Sequence, residues 1–320
     1  MQIKKYFIVG GAGFVGSHLT KAILEETDKV RVVVYDNFSS GRKWHLREII
    51  GNKNLKIIKA DVRDMHALKN AMKGADMVYH LASNPDISIA ITRPDIDFWQ
   101  GTYLTQNVLE AMRINKVKKI LYASGSGVYG DSGREEINED YPLKLPISTY
   151  GASKLASEAM ISAYCYMFDI DGVSFRFANV VGPCQTHGVG YDFVRKLKEN
   201  PRKLKILGDG KQSKPYIYIT DVISAMRLLE KNTPIGFSYY NVSTTDYLKV
   251  AEIAKIVVSI MGLKKVRFCY AGGRAGWKGD VPIIRMNSDK IRKLGWSNKY
   301  NSQEAIQRSI EDILQEVDRQ

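Results

Sequence analysis

Tyr150-Gly-Ala-Ser-Lys154 places a phenol and an ammonium four residues apart, so on a helix both side chains face the same way. A cation held beside a phenol favours the phenolate and lowers the tyrosine pKa, which makes a usable base near neutral pH. The same spacing also occurs in pairs that only pack, so chemistry requires further partners. Hydroxyl groups stand upstream in Tyr122-Ala-Ser-Gly-Ser-Gly-Val-Tyr-Gly130, where Ser124 and Ser126 flank a glycine. They can address a substrate or satisfy main-chain groups in a tight loop.

Near the start of the chain, Gly10-Gly-Ala-Gly-Phe-Val-Gly16 follows an apolar run and opens a helix-compatible segment, the context of a dinucleotide fingerprint. A pyrophosphate reaches the loop amides and the positive end of the helix only if no Cβ intervenes, and a third glycine lets helix and strand pack closely. Gly10, Gly13, Phe14, Val15 and Gly16 are the expected contacts. Asp36 ends Arg31-Val-Val-Val-Tyr-Asp36, 20 residues beyond Gly16, with Asn37 beside it. A carboxylate there accepts both ribose hydroxyls and repels a 2′-phosphate, so NAD is expected in preference to NADP. Arg42 and Lys43 pull the other way, and an acid that merely forms a turn is the plain alternative.

These groups need a scaffold. The first half alternates short β-branched and apolar runs, near 5–10, 31–36, 55–59, 76–81, 119–124 and 172–178, with helix-compatible stretches. Right-handed crossovers then give an α/β fold, a Rossmann-type doubly wound parallel sheet. After about residue 180, loops rich in Gly, Pro and Tyr mix with short helices, which reads as a smaller mixed α/β C-terminal lobe. The expected division is a cofactor domain over 1–178 and a substrate lobe over 179–320, with segments interwoven.

The 320 residues carry a net charge of +13, which raises nucleic-acid binding as a rival role. The basic residues are dispersed and form no run interleaved with aromatics, so no nucleic-acid partner is expected. No stretch reaches the roughly 18 to 20 apolar residues that span a bilayer, and a cytoplasmic protein without membrane attachment follows as the expectation. Cys165, Cys184 and Cys269 form no CxxC pair, and five scattered histidines lack ligand spacing, so no metal is expected.

Eight segments together resemble the extended short-chain dehydrogenase/reductase family, especially its nucleotide-sugar epimerases and dehydratases, with UDP-glucose 4-epimerases the nearest in kind. They are residues 10–19, Ala60-Asp-Val-Arg-Asp64, His80-Leu-Ala-Ser83, Val128-Tyr-Gly130, Tyr150-Gly-Ala-Ser-Lys154, Arg176-Phe-Ala-Asn179, Val181-Gly-Pro183 and Gly208-Asp-Gly210. The resemblance implies that Asp61 and Val62 flank the adenine, that Leu81, Ala82 and Ser83 line the cofactor's path, and that Lys154 holds the nicotinamide ribose. It implies a reaction in which Tyr150 takes a proton from a sugar hydroxyl while the neighbouring carbon gives hydride to NAD, leaving a transient 4-keto sugar.

Two departures matter. Counting back from Val128-Tyr-Gly130, the family's catalytic serine or threonine falls on Gly125, so Ser124 or Ser126 must stand in, with Ser126 favoured. Sugar 4,6-dehydratases carry an acidic pair where this chain has Ser126 and Gly127, and without a carboxyl group elimination lacks its general acid. Epimerisation at C4, on a UDP-sugar by preference, is therefore expected; a dehydratase using other residues is the alternative, and a non-enzymatic NAD-sensing protein is the rival from another class.

For the substrate, the resemblance implies an asparagine and two basic residues at the diphosphate. Asn179 matches the first; Lys214 stands where an arginine is usual, and Arg274, before Trp277-Lys-Gly-Asp280, is the second expected clamp. His187, in Cys184-Gln-Thr-His-Gly-Val-Gly-Tyr-Asp-Phe193, is a candidate substrate ligand. A homodimer is also implied, paired through the helices that follow Asp95 and Tyr150.

Overall fold

The computed structural model describes residues 3–317. Six strands fall where the apolar runs place them: β1 (Lys4–Val9), β2 (Val30–Asp36), β3 (Leu55–Lys59), β4 (Met77–His80), β5 (Lys119–Gly125) and β6 (Asp171–Phe177). Helices α1 (Phe14–Glu26), α2 (Met65–Met72), α3 (Tyr103–Asn115) and α4 (Thr149–Phe168) occupy connections between them. A seventh strand, Phe237–Val242, completes the sheet at its edge, giving the order Phe237–Val242, β6, β5, β4, β1, β2, β3. The pairings from β3 through β2, β1 and β4 to β5 are parallel.

That order contains its own ligand-binding point. The chain leaves β1 toward β2 on one side, and β4 lies on the other, so the strand order reverses between β1 and β4. Parallel α/β sheets bind ligands beyond the carboxyl ends of strands at such a point. Gly10 follows β1 there and Leu81 follows β4, its amide continuing the ladder to the Val9 carbonyl at 2.9 Å.

The sheet is anchored by apolar side chains alternating along its strands. Phe7, Val9, Val33, Tyr35 and Ile120 pack with Leu68 and Met72 of α2, Val108, Leu109 and Met112 of α3, and Ile161 of α4. Each such side chain contributes on the order of 1.5–3 kcal/mol through removal from water. α2 is started by Asp64, whose carboxylate accepts the Ala67 N–H at 3.0 Å.

The chain forms two compact units that interleave in sequence. One comprises Met1–Ser124, Ser153–Arg176 and Ile223–Tyr240; the other comprises Gly125–Ala152, Phe177–Val222 and Asn241–Gln320. The boundary falls inside α4, between Tyr150 and Lys154. The second unit holds three small sheets: Asn179–Val181 parallel to Tyr216–Tyr218, Lys203–Ile206 parallel to Arg267–Tyr270, and Ser213–Lys214 antiparallel to Leu248–Lys249. The apolar spacing around 248–262 forms a helix over Val250–Ile260. Among the described residues no helix is long and apolar enough to cross a membrane.

Candidate active site

The glycine loop is shaped to the limit of its own backbone. Gly10 sits at φ +80°, and a Cβ there would lie 2.7 Å from the Ala82 nitrogen. A Cβ on Gly16 would lie 2.2 Å from the Gly10 carbonyl oxygen and 2.7 Å from the Gly11 Cα. Gly13 begins α1 with no side-chain cap, so Phe14, Val15 and Gly16 form a first turn whose amides are available to an anion.

Ala12 is pinned from both sides. Its N–H donates to Asp36 Oδ2 at 2.9 Å, and its carbonyl accepts from the Arg42 N–H at 3.1 Å and contacts His45 Nδ1 at 2.8 Å. Burial holds His45 neutral by pushing its pKa down to about 4. Asp36 also accepts the Phe38 N–H at 2.8 Å. Burial raises its pKa, while the two backbone N–H groups work in the opposite direction. Each oxygen keeps a second lone-pair site for a ribose hydroxyl. Asp36 thus shapes the loop as well as standing beside it.

Around the same point, Asp61 accepts from Arg63 at 2.8 and 3.0 Å and from Asn37 Nδ2 at 3.1 Å. The Arg63 guanidinium is the main reason its carboxyl is drawn down to about 2. Val62 is buried, and its carbonyl accepts from Asn107 Nδ2 at 3.1 Å. Leu81, Ala82 and Ser83 are half-buried, with Ala82 against Gly10. The first unit holds these residues and Lys154, whereas Tyr150, also expected at the cofactor, belongs to the second unit.

Lys154 lies on α4 and is buried, its ammonium donating to the Ala123 carbonyl at 2.6 Å and lying 5.0 Å from the Tyr122 ring centre. Burial pulls its pKa down to about 7, against the raising influence of Glu158 and Asp97. Ser124 is buried at the end of β5, its hydroxyl without a hydrogen-bond partner among the described residues.

In the second unit, a 3-10 turn over Ser126–Tyr129 packs on the first turn of α4. A Cβ on Gly151 would lie 2.5 Å from the Gly127 carbonyl oxygen, so this approach requires glycine at position 151. The Gly127 Cα side of the turn lies close to the Tyr150 ring, with 3.9 Å from an added Cβ to Cδ1. Half-buried Ser126, next to Gly127, is thereby carried to the tyrosine's neighbourhood. Sequence reasoning missed the pairing of Gly127 with Gly151; a glycine beside the tyrosine in the motif was its available signal.

The substrate candidates divide. Asn179 pairs in register with Tyr216, its Nδ2 donating to the Pro215 carbonyl at 3.1 Å, which places it beside Lys214. Lys214 forms a buried ion pair with Asp280 at 2.6 Å, near the Trp277 ring, and Asp280 also accepts the Gly276 N–H at 3.0 Å. Arg274 is two-thirds exposed, 3.6 Å from the Asp131 carboxylate. His187 is half-buried beside Thr186, just before the helix Val189–Glu199.

A glycine cradle at the switch point, an acid at the end of β2 and a tyrosine–lysine pair on one helix define a dinucleotide-dependent α/β enzyme. Residues 6–242 match the NAD dependent epimerase/dehydratase family, and the chain belongs to it; its cofactor is NAD. A crystal structure of a UDP-galactose 4-epimerase is 35% identical with a TM-score of 0.87, covering 98% of this chain and 99% of that one. The UDP-glucose 4-epimerase of Mycolicibacterium smegmatis is 28% identical over 95% of this chain and 96% of its own. The dTDP-D-glucose 4,6-dehydratase of Homo sapiens is 30% identical over 96% of this chain and 89% of its own.

Proposed function

We propose that the protein inverts C4 of a UDP-sugar. Bound NAD supplies the hydride acceptor and, once the sugar presents its other face, the hydride donor, so there is no net oxidation. Gly10, Gly13 and the first turn of α1 hold the pyrophosphate, Asp36 and Asn37 the adenosine ribose, and Asp61 and Val62 the adenine. Leu81, Ala82 and Ser83 line the path to the nicotinamide end, where Lys154 holds the ribose. Tyr150 takes the proton of the sugar hydroxyl and returns it, its phenolate favoured by the ammonium one turn along α4. Ser126 shares that hydroxyl, with Ser124 the second choice. Asn179, Lys214 and Arg274 engage the diphosphate, and His187 the sugar end.

The observation that carries epimerisation over elimination is the segment Ser124-Gly-Ser-Gly127, which contains no carboxyl group to act as general acid. Relatives that are dTDP-D-glucose 4,6-dehydratases, such as that of Homo sapiens, support dehydration as the second reading. Incubation with UDP-, GDP- and dTDP-sugars in deuterium oxide separates them. A 4-epimerase carries its C4 hydrogen out and back, so the expected product has unchanged mass, inverted C4 and no carbon-bound deuterium. A product lighter by one water, or deuterium on carbon, overturns the proposal.

We also assign a cytoplasmic homodimer as the working form. Phe98 and Trp99, in the turn before α3, and Tyr166 and Met167, on α4, are large exposed apolar side chains of the kind that mark interaction surfaces. The free thiols of Cys165, Cys184 and Cys269 suit a reducing compartment. A monomer in sedimentation at micromolar concentration removes the dimer.

A further inference from the structure

Between Asn179 and His187 the chain turns through backbone that ordinary residues avoid. Gly188 sits at φ +107°, as glycine permits, but Cys184 sits at φ +67° with a side chain to accommodate. A residue other than glycine stays in the left-handed region only where its surroundings over-determine it, and such strain gathers at ligand clamps. Here the surroundings include a distant helix. Pro183 has no N–H to offer, and the Cys184 N–H that follows it donates to both carboxylate oxygens of Glu316, at 2.9 and 3.1 Å. Glu316 belongs to the helix Ser302–Val317.

Two more groups of that helix reach the same region. Ser309 Oγ faces Gln185 Oε1 at 3.4 Å, and Asp312 Oδ2 accepts the Tyr218 hydroxyl at 2.6 Å. Ser309, Asp312 and Glu316 follow one another by three and four residues, so they share one helix face. Each contact passes a constraint on. Tyr218 pairs in register with Val181, at the end of the strand that begins with Asn179. Gln185 is buried and its amide lies against Gly188, where a Cβ would come within 2.5 Å of Nε2. His187 lies between these held points. Of the three contacts, the one at Glu316 grips the main chain itself, and a carboxylate acceptor makes it roughly twice as strong as a neutral hydrogen bond.

We propose that Glu316 is a positioning residue for the sugar nucleotide: its carboxylate fixes Cys184 in the left-handed conformation and so sets the path by which the chain presents His187. The inference rests on the reading of Asn179 and His187 as substrate residues, and two readouts keep the two apart. In NAD-loaded protein carrying nitrogen-15 at its three cysteines, the Cys184 amide is assigned by its loss in Cys184→Ser. Glu316→Ala is expected to shift that resonance upfield and speed its hydrogen exchange, with Cys165 and Cys269 unmoved. Calorimetry with UDP-glucose is expected to show affinity weakened on the order of tenfold in Glu316→Ala, and less in Glu316→Gln, which keeps an acceptor. NAD affinity should stay as in wild type. A Glu316 that only packs its helix would lower the melting temperature and leave UDP-glucose affinity unchanged; that result, or an unmoved Cys184 amide, overturns the proposal. If Glu316→Ala does not fold, the same two measurements on Glu316→Gln decide. Failure of wild type to bind UDP-glucose would instead remove the substrate reading, and the Cys184 amide would then decide for Glu316 alone.

Discussion

The two compact units present their functional groups in opposite ways. Around the glycine loop, the shaping contacts are mostly main chain: a carbonyl and an amide of Ala12 fixed by Asp36 and His45, and Ala82 against Gly10. Among the residues proposed for the substrate, they are side chains at the ends of flexible stems, held by ion pairs such as Lys214 with Asp280 and Arg274 with Asp131. A main-chain cradle has one shape and tolerates almost no added atom. Side-chain contacts can lengthen, swap or pair differently while the frame persists.

The sharpest break in that comparison is Gly16→Ala. Its Cβ would meet Gly10 oxygen at 2.2 Å, a main-chain atom that cannot swing aside. Overpacking of this kind typically costs about 1–3 kcal/mol, and here the displaced atoms are the cradle itself. Loss of measurable NAD binding in calorimetry, with a lowered melting temperature, is expected. Retention of wild-type affinity would show that the loop relaxes as freely as the substrate segments.

A second contrast sets a buried charge against exposed ones. Glu230, buried, accepts from the Tyr79 and Tyr6 hydroxyls at 2.7 and 2.8 Å, from Lys4 at 2.7 Å, and from Arg227. Burial alone would raise its pKa, but these partners together hold it below its ordinary value of 4.5. A depressed acid contributes stability that is present above the unfolded pKa and lost as pH falls through the folded one. Glu230→Gln, which leaves Arg227 partly uncompensated, is expected to cost about 3 kcal/mol at pH 7. The gap to wild type should narrow as pH falls below about 4.5, followed by chemical denaturation across that range. A gap independent of pH would assign the loss to packing alone.

The contrast also explains what was legible in the sequence. The strands β1 to β6 and the glycine loop announce themselves because buried parallel strands are continuous apolar runs and tight loops demand glycine. The edge strand Phe237–Val242 did not, since Ser238, Tyr239 and Asn241 give it a mixed polarity. Tyr150 and Lys154 were legible from spacing on one helix. The Gly127 approach to Gly151, the Ser153 hydrogen bond to the Asp97 carbonyl and the pairing of Lys214 with Asp280 were not, because each joins residues distant in sequence through contacts that leave no periodic trace.

Arg274→Ala gives the smallest expected effect and the closest test of how the second unit works. Its guanidinium is two-thirds exposed and its Asp131 contact is long, 3.6 Å, so removing the pair should change stability by no more than about 0.2–1 kcal/mol. NAD affinity should not move, because no cradle atom depends on it. If Arg274 engages the diphosphate, the KM for the sugar nucleotide should rise several-fold with kcat nearly unchanged, since binding held equally in ground and transition states appears in KM. That rise should shrink as salt is added, as screening weakens contacts between exposed charges. Lys214, shielded and paired with Asp280, should show a weaker salt response when replaced by Met. An Arg274→Ala enzyme with unchanged KM at low salt would remove Arg274 from the clamp and leave Asn179 and Lys214 to hold the diphosphate.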